Sequence, residues 1–143
     1  MAAALLRRIH EAKVANAPSA TVWGTGIPRR EFLFSDDAAD ACIFAARNYS
    51  EEEILNVGTA ADVSVGEFAL TVADVVGFKG NLVFDRMRPN GTPRKLLDVS
   101  KMRALGWVAK TTLRDGLREA YRDFVACGRR VASKEPACST VAR

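Results

Sequence analysis

No run of apolar residues in this sequence approaches the roughly 20 needed to cross a bilayer. The apolar start, Met1-Ala-Ala-Ala-Leu-Leu, is brief, and its positive charges, Arg7 and Arg8, follow it. That order is the reverse of a secretory signal, so no membrane partner and a cytoplasmic location are the expectation. Cysteine is scarce. Cys42, Cys127 and Cys138 form no Cys-x-x-Cys pair, and His10 is the one histidine. A tetrahedral zinc site would have to gather all four side chains from scattered positions. Reduced, partly buried thiols and no metal are therefore expected. Internal repeats are also lacking.

What is present suits one core. The 143 residues are 48% hydrophobic and 27% charged, the balance of a soluble domain or part of one. The net charge of +4 is unevenly placed. Arg129, Arg130, Lys134 and Arg143 against Glu135 account for +3 of it, leaving residues 1–128 at +1. A basic nucleic-acid-binding face is thereby disfavoured. One window stands apart: residues 79–103 hold seven Lys/Arg against Asp85 and Asp98, a net +5.

Caps and periodicity predict five helices. The first covers about residues 2–15, with Ala2, Leu5, Leu6, Ile9 and Ala12 on one stripe at ~100° per residue. The same wheel puts Arg7 in water, Arg8 at the stripe's edge and His10 near the polar side, as a surface histidine. A second helix opens at Asp36-Asp37, read as cap and dipole partner rather than an acid–base pair, and ends near Asn48. In the third, Ser64 and Glu67 have capping-box spacing, Val63 can staple to Phe68, and Gly77 stops the helix. A short fourth runs from Ser100 to Leu105. The fifth opens at Thr112, carries Leu113, Leu117, Ala120, Tyr121, Phe124 and Val125 on one face, and should stop at Gly128. Strand-like runs lie at residues 21–23, 31–34, 54–57 and 81–85. The alternation argues an α/β fold, with residues 1–128 as the folded part and 129–143 as a disordered tail.

Two segments could carry binding chemistry. Arg86-Met-Arg88-Pro-Asn90-Gly91-Thr-Pro93-Arg94-Lys95 couples a tight Asn-Gly turn to four cations, with Pro93 stiffening the backbone before Arg94 and Lys95. Such a turn can hold a phosphate, arginine gripping two oxygens and lysine acting as a point charge. The spacing alone equally fits a solvated surface turn. The other segment, Val22-Trp23-Gly24-Thr25-Gly26-Ile27-Pro28-Arg29-Arg30, ends a strand in an indole and continues through Gly-x-Gly into two cations. It lacks the third glycine and following helix of a dinucleotide fingerprint. Trp23 taken alone fits core or interface packing as well as a stacking face.

Read in order, Ala4-Leu-Leu-Arg-Arg-Ile-His-Glu-Ala12, Val22-Trp-Gly-Thr-Gly-Ile-Pro-Arg-Arg-Glu-Phe-Leu33 with Asp36-Asp37, Asn56-Val-Gly-Thr59, Val75-Val-Gly-Phe-Lys-Gly80, Gly91-Thr-Pro-Arg-Lys-Leu-Leu-Asp98 and Leu105-Gly-Trp107 resemble one family. They are similar to the C-terminal part of the GDP-L-fucose synthases, which are extended short-chain dehydrogenase/reductases. The resemblance covers about residues 4–128. It implies an α/β substrate-binding part without the N-terminal Rossmann core. It also implies that Arg8, Trp23, Arg30 and Lys95 contact a GDP-sugar. The sequence departs from the family pattern at Phe34-Ser35, where His-Val is usual.

The family enzyme uses NADPH to turn GDP-4-keto-6-deoxy-mannose into GDP-L-fucose, with a tyrosine of a Tyr-x-x-x-Lys pair supplying a proton. This sequence contains neither that pair nor a glycine fingerprint. Tyr49 is followed four places later by Glu53, and Tyr121 by Val125. No cysteine falls at the family's catalytic position. The resemblance therefore implies no catalytic residue and no cofactor site in this chain, with no turnover by it alone. A separately encoded Rossmann half as partner, or a non-catalytic GDP-sugar-binding module, are the alternatives. The helix after Asp36 and the strand at Asn56-Val57 would then leave an exposed apolar patch.

Overall fold

A computed structural model describes residues 1–132, with side chains described through Cys127. The elements run α1 (Ala2–Val14), β1 (Ser19–Trp23), β2 (Arg29–Glu31), α2 (Ser35–Asn48), β3 (Asp62–Ser64), α3 (Val65–Val76), β4 (Asn81–Asp85), β5 (Arg94–Lys95), α4 (Ser100–Ala104) and α5 (Leu113–Ala132). The fold is α/β. β1 and β4 pair in parallel, with Ser19 opposite Asn81 and Trp23 opposite Asp85. A separate sheet has the order β3-β2-β5, antiparallel between β3 and β2 and parallel between β2 and β5.

The main core forms where the apolar stripes converge. Leu5, Leu6 and Ile9 of α1 pack with Val65, Phe68, Ala69, Val72 and Val76 of α3, Ala20 and Val22 of β1, and Leu117 of α5. The stripe read for the first helix is the face that is buried. Phe32 stacks on Phe68 with ring centroids 4.0 Å apart. A smaller cluster joins Ala41 of α2 to Met102 and Trp107.

The capping box of α3 forms in both directions: Glu67 N donates to Ser64 Oγ at 3.0 Å, and Ser64 N donates to Glu67 Oε2 at 2.7 Å. Val63 and Phe68, the expected staple, join the same core. The helix ends at Gly77, and Lys13 Nζ donates to the Val76 carbonyl at 2.6 Å.

Other expectations are corrected. The second helix has Phe34 at its N-cap position and no side-chain cap. Asp37, buried, instead accepts from the amides of Lys110 and Thr111, so it anchors the α4–α5 connection. Asp36 and Asp37 remain in the first turn, where they face the positive end of the helix. The run at 31–34 is strand only through Glu31, because β2 pairs with β3 over residues 29–31 and with β5 over 29–30. Residues 54–57 form no strand; a strand needs a neighbour, and Leu55 and Val57 pack on the smaller cluster instead.

Gly128 does not stop α5, which continues to Ala132; a helix interior tolerates glycine at about 1 kcal/mol relative to alanine. The anticipated tail therefore loses residues 129–132 to helix. Residues 133–143, including Cys138, lie outside the described residues. Cys42 and Cys127 are exposed, not partly buried, since both fall on outward helix faces. His10 is half-buried between α1 and α5. Its Nδ1 shares a 3.1 Å hydrogen bond with the Tyr121 hydroxyl, and its ring meets Phe124 edge-on. It is an inter-helix packing residue rather than a surface one. Apolar exposure near the anticipated patch rests on Ile43 and Ile54. Among the described residues no helix is long and apolar enough to cross a membrane, and no group of three His, Cys, Asp or Glu could hold a metal ion.

Candidate functional site

The helix wheel separates Arg7 from Arg8, and the structure gives them different surroundings. Arg7 is exposed. Arg8 donates from Nη1 to the Thr21 carbonyl of β1 at 3.0 Å, and its guanidinium lies 4.8 Å from the centre of the Trp23 ring. Trp23 sits at the end of β1 and is 56% exposed, so its indole is a surface face and not a core filler. A second guanidinium, that of Arg88, lies 5.0 Å from the same ring and pairs with Asp85 at 3.6 Å. At an exposed site each such contact contributes about 0.5–1 kcal/mol, enough to orient the groups but not to bury them.

Beyond Trp23 the backbone turns sharply through two glycines. Gly24 has φ +85°, and a Cβ there would stand 2.7 Å from Asn90 Oδ1. Gly26 has φ +79°, and a Cβ there would stand 2.5 Å from the Phe84 ring. Both positions need a residue without a side chain. The close approach lets Asn90 Oδ1 accept from the amide and hydroxyl of Thr25 at 2.8 and 3.0 Å. The basic turn is thereby tied to the Gly-x-Gly turn.

The two remaining sequence-predicted residues meet in the sheet. Arg30 stands opposite Lys95 in the β2–β5 ladder, and Arg29 opposite Arg94. Successive strand residues point to opposite faces, so each basic doublet is split between the two sides. On one side Asp62, whose side chain is 6% exposed, accepts from Arg29 Nε at 2.8 Å and Arg94 Nε at 2.5 Å. Hydrogen bonds from Arg94 and then Arg29 hold its carboxyl below the usual carboxylate range. On the other side Arg30 donates to the carbonyls of Arg29 at 2.7 Å and Asn90 at 3.5 Å. Among the described residues neither Arg30 nor Lys95 has a carboxylate partner within salt-bridge distance.

Glu31 holds the surrounding loops. Its Oε1 accepts from the amides of Thr59 and Ala60 at 2.6 and 2.7 Å, and its Oε2 from the Leu97 amide at 3.0 Å. An open cleft of about 500 Å³ is bordered by Arg30, Glu31, Gly58, Lys95 and Leu97.

Arg8 and Trp23 are thus brought together, as are Arg30 and Lys95, and the turn carrying Arg88 and Asn90 joins the two pairs. Sequence reasoning placed Arg88 and Asn90 in a basic turn without giving either a partner. It did not find Glu31 or Asp62, because cross-strand partners carry no mark in the linear sequence.

This arrangement can be compared with known proteins. The family model described as NAD dependent epimerase/dehydratase family matches residues 1–58. Putative GDP-L-fucose synthase 2 of Arabidopsis thaliana is 54% identical over 122 residues, 85% of this chain and 37% of that protein. Over its first 58 residues the chain is thus similar to the NAD dependent epimerase/dehydratase family. The GDP-L-fucose synthase of Escherichia coli K12 is 47% identical over 131 residues, covering 85% of this chain and 41% of its own length. The structure of a GDP-L-fucose synthetase from Naegleria fowleri bound to NADP superposes with a TM-score of 0.85 at 27% identity, over 90% of this chain and 40% of that one. The chain spans about two fifths of the length of these relatives.

Proposed function

We propose that this chain forms the GDP-sugar-binding part of a GDP-L-fucose synthase, with Arg30 and Lys95 holding the diphosphate and Arg8 and Trp23 offering a cation and a stacking face beside it. The observation that carries the reading is the cross-strand pair of cations without carboxylate partners. Like charges directly opposite in a sheet cost roughly 0.2–1 kcal/mol. An incoming dianion reverses the sign of that term and adds charge-assisted hydrogen bonds. The names of the relatives, GDP-L-fucose synthases in plants and bacteria, support the same ligand class.

In this reading the 143 residues do not reduce a keto-sugar unaided. Nicotinamide supplies hydride when bound, and its pyrophosphate needs a glycine turn opening into a helix. The Gly24–Gly26 turn does not fit that group: Asn90 and Phe84 occupy the space against its glycines, and it leads into β2. A separate chain carrying a dinucleotide fingerprint and a Tyr-x-x-x-Lys pair would supply the remaining chemistry.

Calorimetry with GDP-mannose tests the binding claim, with heat of binding expected at submillimolar ligand. Absence of heat at millimolar ligand removes it. NADPH consumption with GDP-4-keto-6-deoxy-mannose, with and without such a partner chain, tests the catalytic claim. Turnover by this chain alone would overturn it.

A further inference from the structure

We propose that Asp62 is a positioning residue of the anion site: by bridging Arg29 and Arg94 on one face of the β3-β2-β5 sheet, it fixes Lys95 beside Arg30 on the other. The inference rests on the GDP-sugar reading above and deepens it.

The argument starts from the length of β5. Arg94 and Lys95 are its whole extent, and they form its only two ladder positions with β2. Two residues of parallel pairing are a weak hold, since parallel pairing is the less stable kind per residue. Both residues are exposed, so apolar burial does not anchor the strand either. What ties it down is polar. The Arg29 amide donates to the Pro93 carbonyl at 2.8 Å, just before the strand, and Glu31 accepts from the Leu97 amide just after it. Within the strand, the side-chain tie is Asp62 to Arg94.

Asp62 is well placed for that task. It belongs to β3 on the far side of the central strand, and it spans β2 to reach β5. Arg29 is consumed on the way, through Nε to Asp62 Oδ1 and Nη2 to the Asp62 carbonyl. Arg29 Nη1 also lies 3.6 Å from Glu67 Oε2, which is engaged in the α3 capping box. The clamp therefore runs from the start of α3 through β3 and β2 to β5. Pleat alternation does the rest: with Arg29 and Arg94 drawn to one face, Arg30 and Lys95 must share the opposite one.

Positioning and simple electrostatics predict opposite signs. Removing a carboxylate near an anion site should tighten anion binding if only Coulombic attraction matters. If the carboxylate holds Lys95 in register, its removal should weaken binding. The test is GDP-mannose affinity by calorimetry for the wild-type chain, Asp62→Asn, Asp62→Glu and Arg94→Gln, with Asp74→Asn on the outer side of α3 as a control. The expected result is a loss of tenfold or more in Asp62→Asn and Arg94→Gln, partial recovery in Asp62→Glu, and wild-type affinity in Asp74→Asn. Unchanged or tighter binding by Asp62→Asn would overturn the proposal while leaving the GDP-sugar reading intact. Should Asp62→Asn fail to fold, Asp62→Glu decides: it keeps the carboxylate charge but displaces it, so weaker binding supports positioning and wild-type affinity overturns it. Absence of binding by the wild-type chain would remove the underlying reading and this inference with it.

Discussion

Arg30 stands directly opposite Lys95 in the parallel ladder of β2 and β5, while their sequence neighbours Arg29 and Arg94 converge on Asp62 from the other face. Each Arg-Arg or Arg-Lys doublet thus divides into a structural cation and a free one. The division follows from the two-residue repeat of a strand. The helical doublet Arg7-Arg8 is split by a different period, with Arg7 in water and Arg8 held by the Thr21 carbonyl beside Trp23.

The members of the sheet doublets without a carboxylate partner should carry the affinity. Arg30→Ala and Lys95→Ala are each expected to weaken GDP-mannose binding by about 1.5–3 kcal/mol, the range for a hydrogen bond to a charged group. Arg8→Ala should weaken it as well, and Arg7→Ala should leave it unchanged. Calorimetric titration of the four variants checks the assignment; equal effects of the two α1 arginines would contradict it.

Trp23 should report the ligand directly. The chain has two tryptophans, and Trp107 is buried with its indole Nε1 donating to Asp40 Oδ2 at 2.9 Å. A change in tryptophan emission on adding GDP-mannose should therefore come from Trp23. Trp23→Phe should abolish the change while leaving Trp107 emission and the melting curve nearly intact.

Gly26→Ala should disturb the site through the backbone. Its positive φ disfavours alanine, and the new methyl would press into the Phe84 ring. Strain of this kind costs on the order of 1–3 kcal/mol. A lower denaturant midpoint and weaker GDP-mannose binding are expected together, because the turn that carries Thr25 to Asn90 must shift.

Acid should loosen the clamp. The carboxyl of Asp62 is held low by Arg94 and Arg29, and that of Glu67 by its bonds with Ser64, so both bind protons more readily in the unfolded chain. Their stabilisation is present above the unfolded carboxylate range, near pH 4, and is lost as pH falls through the lower folded values. The melting temperature of the wild-type chain should decline on acidification below about pH 4. In Asp62→Asn that decline should be shallower from a lower starting point, as scanning calorimetry across pH would show.

Local interactions were legible from the residues themselves. The stripe of α1 and the capping box of α3 depend on neighbours within a few positions, and the structure has both as read. The Gly-x-Gly turn was legible too, since a positive φ selects glycine wherever it occurs. Resemblance in ordered motifs pointed to Arg8, Trp23, Arg30 and Lys95.

Tertiary structure decided the rest. Residues 54–57 have strand composition but no strand beside them, whereas Asp62–Ser64 and Arg94–Lys95 become strands because β2 offers both its edges. Asp37 reads as a helix cap and serves as an acceptor for a loop more than seventy residues away, because the fold brings the amides of Lys110 and Thr111 against its buried carboxylate. The roles of Asp62 and Glu31 depend on which strands lie side by side. Pairing across a sheet is a property of the folded chain, and no spacing in the sequence encodes it.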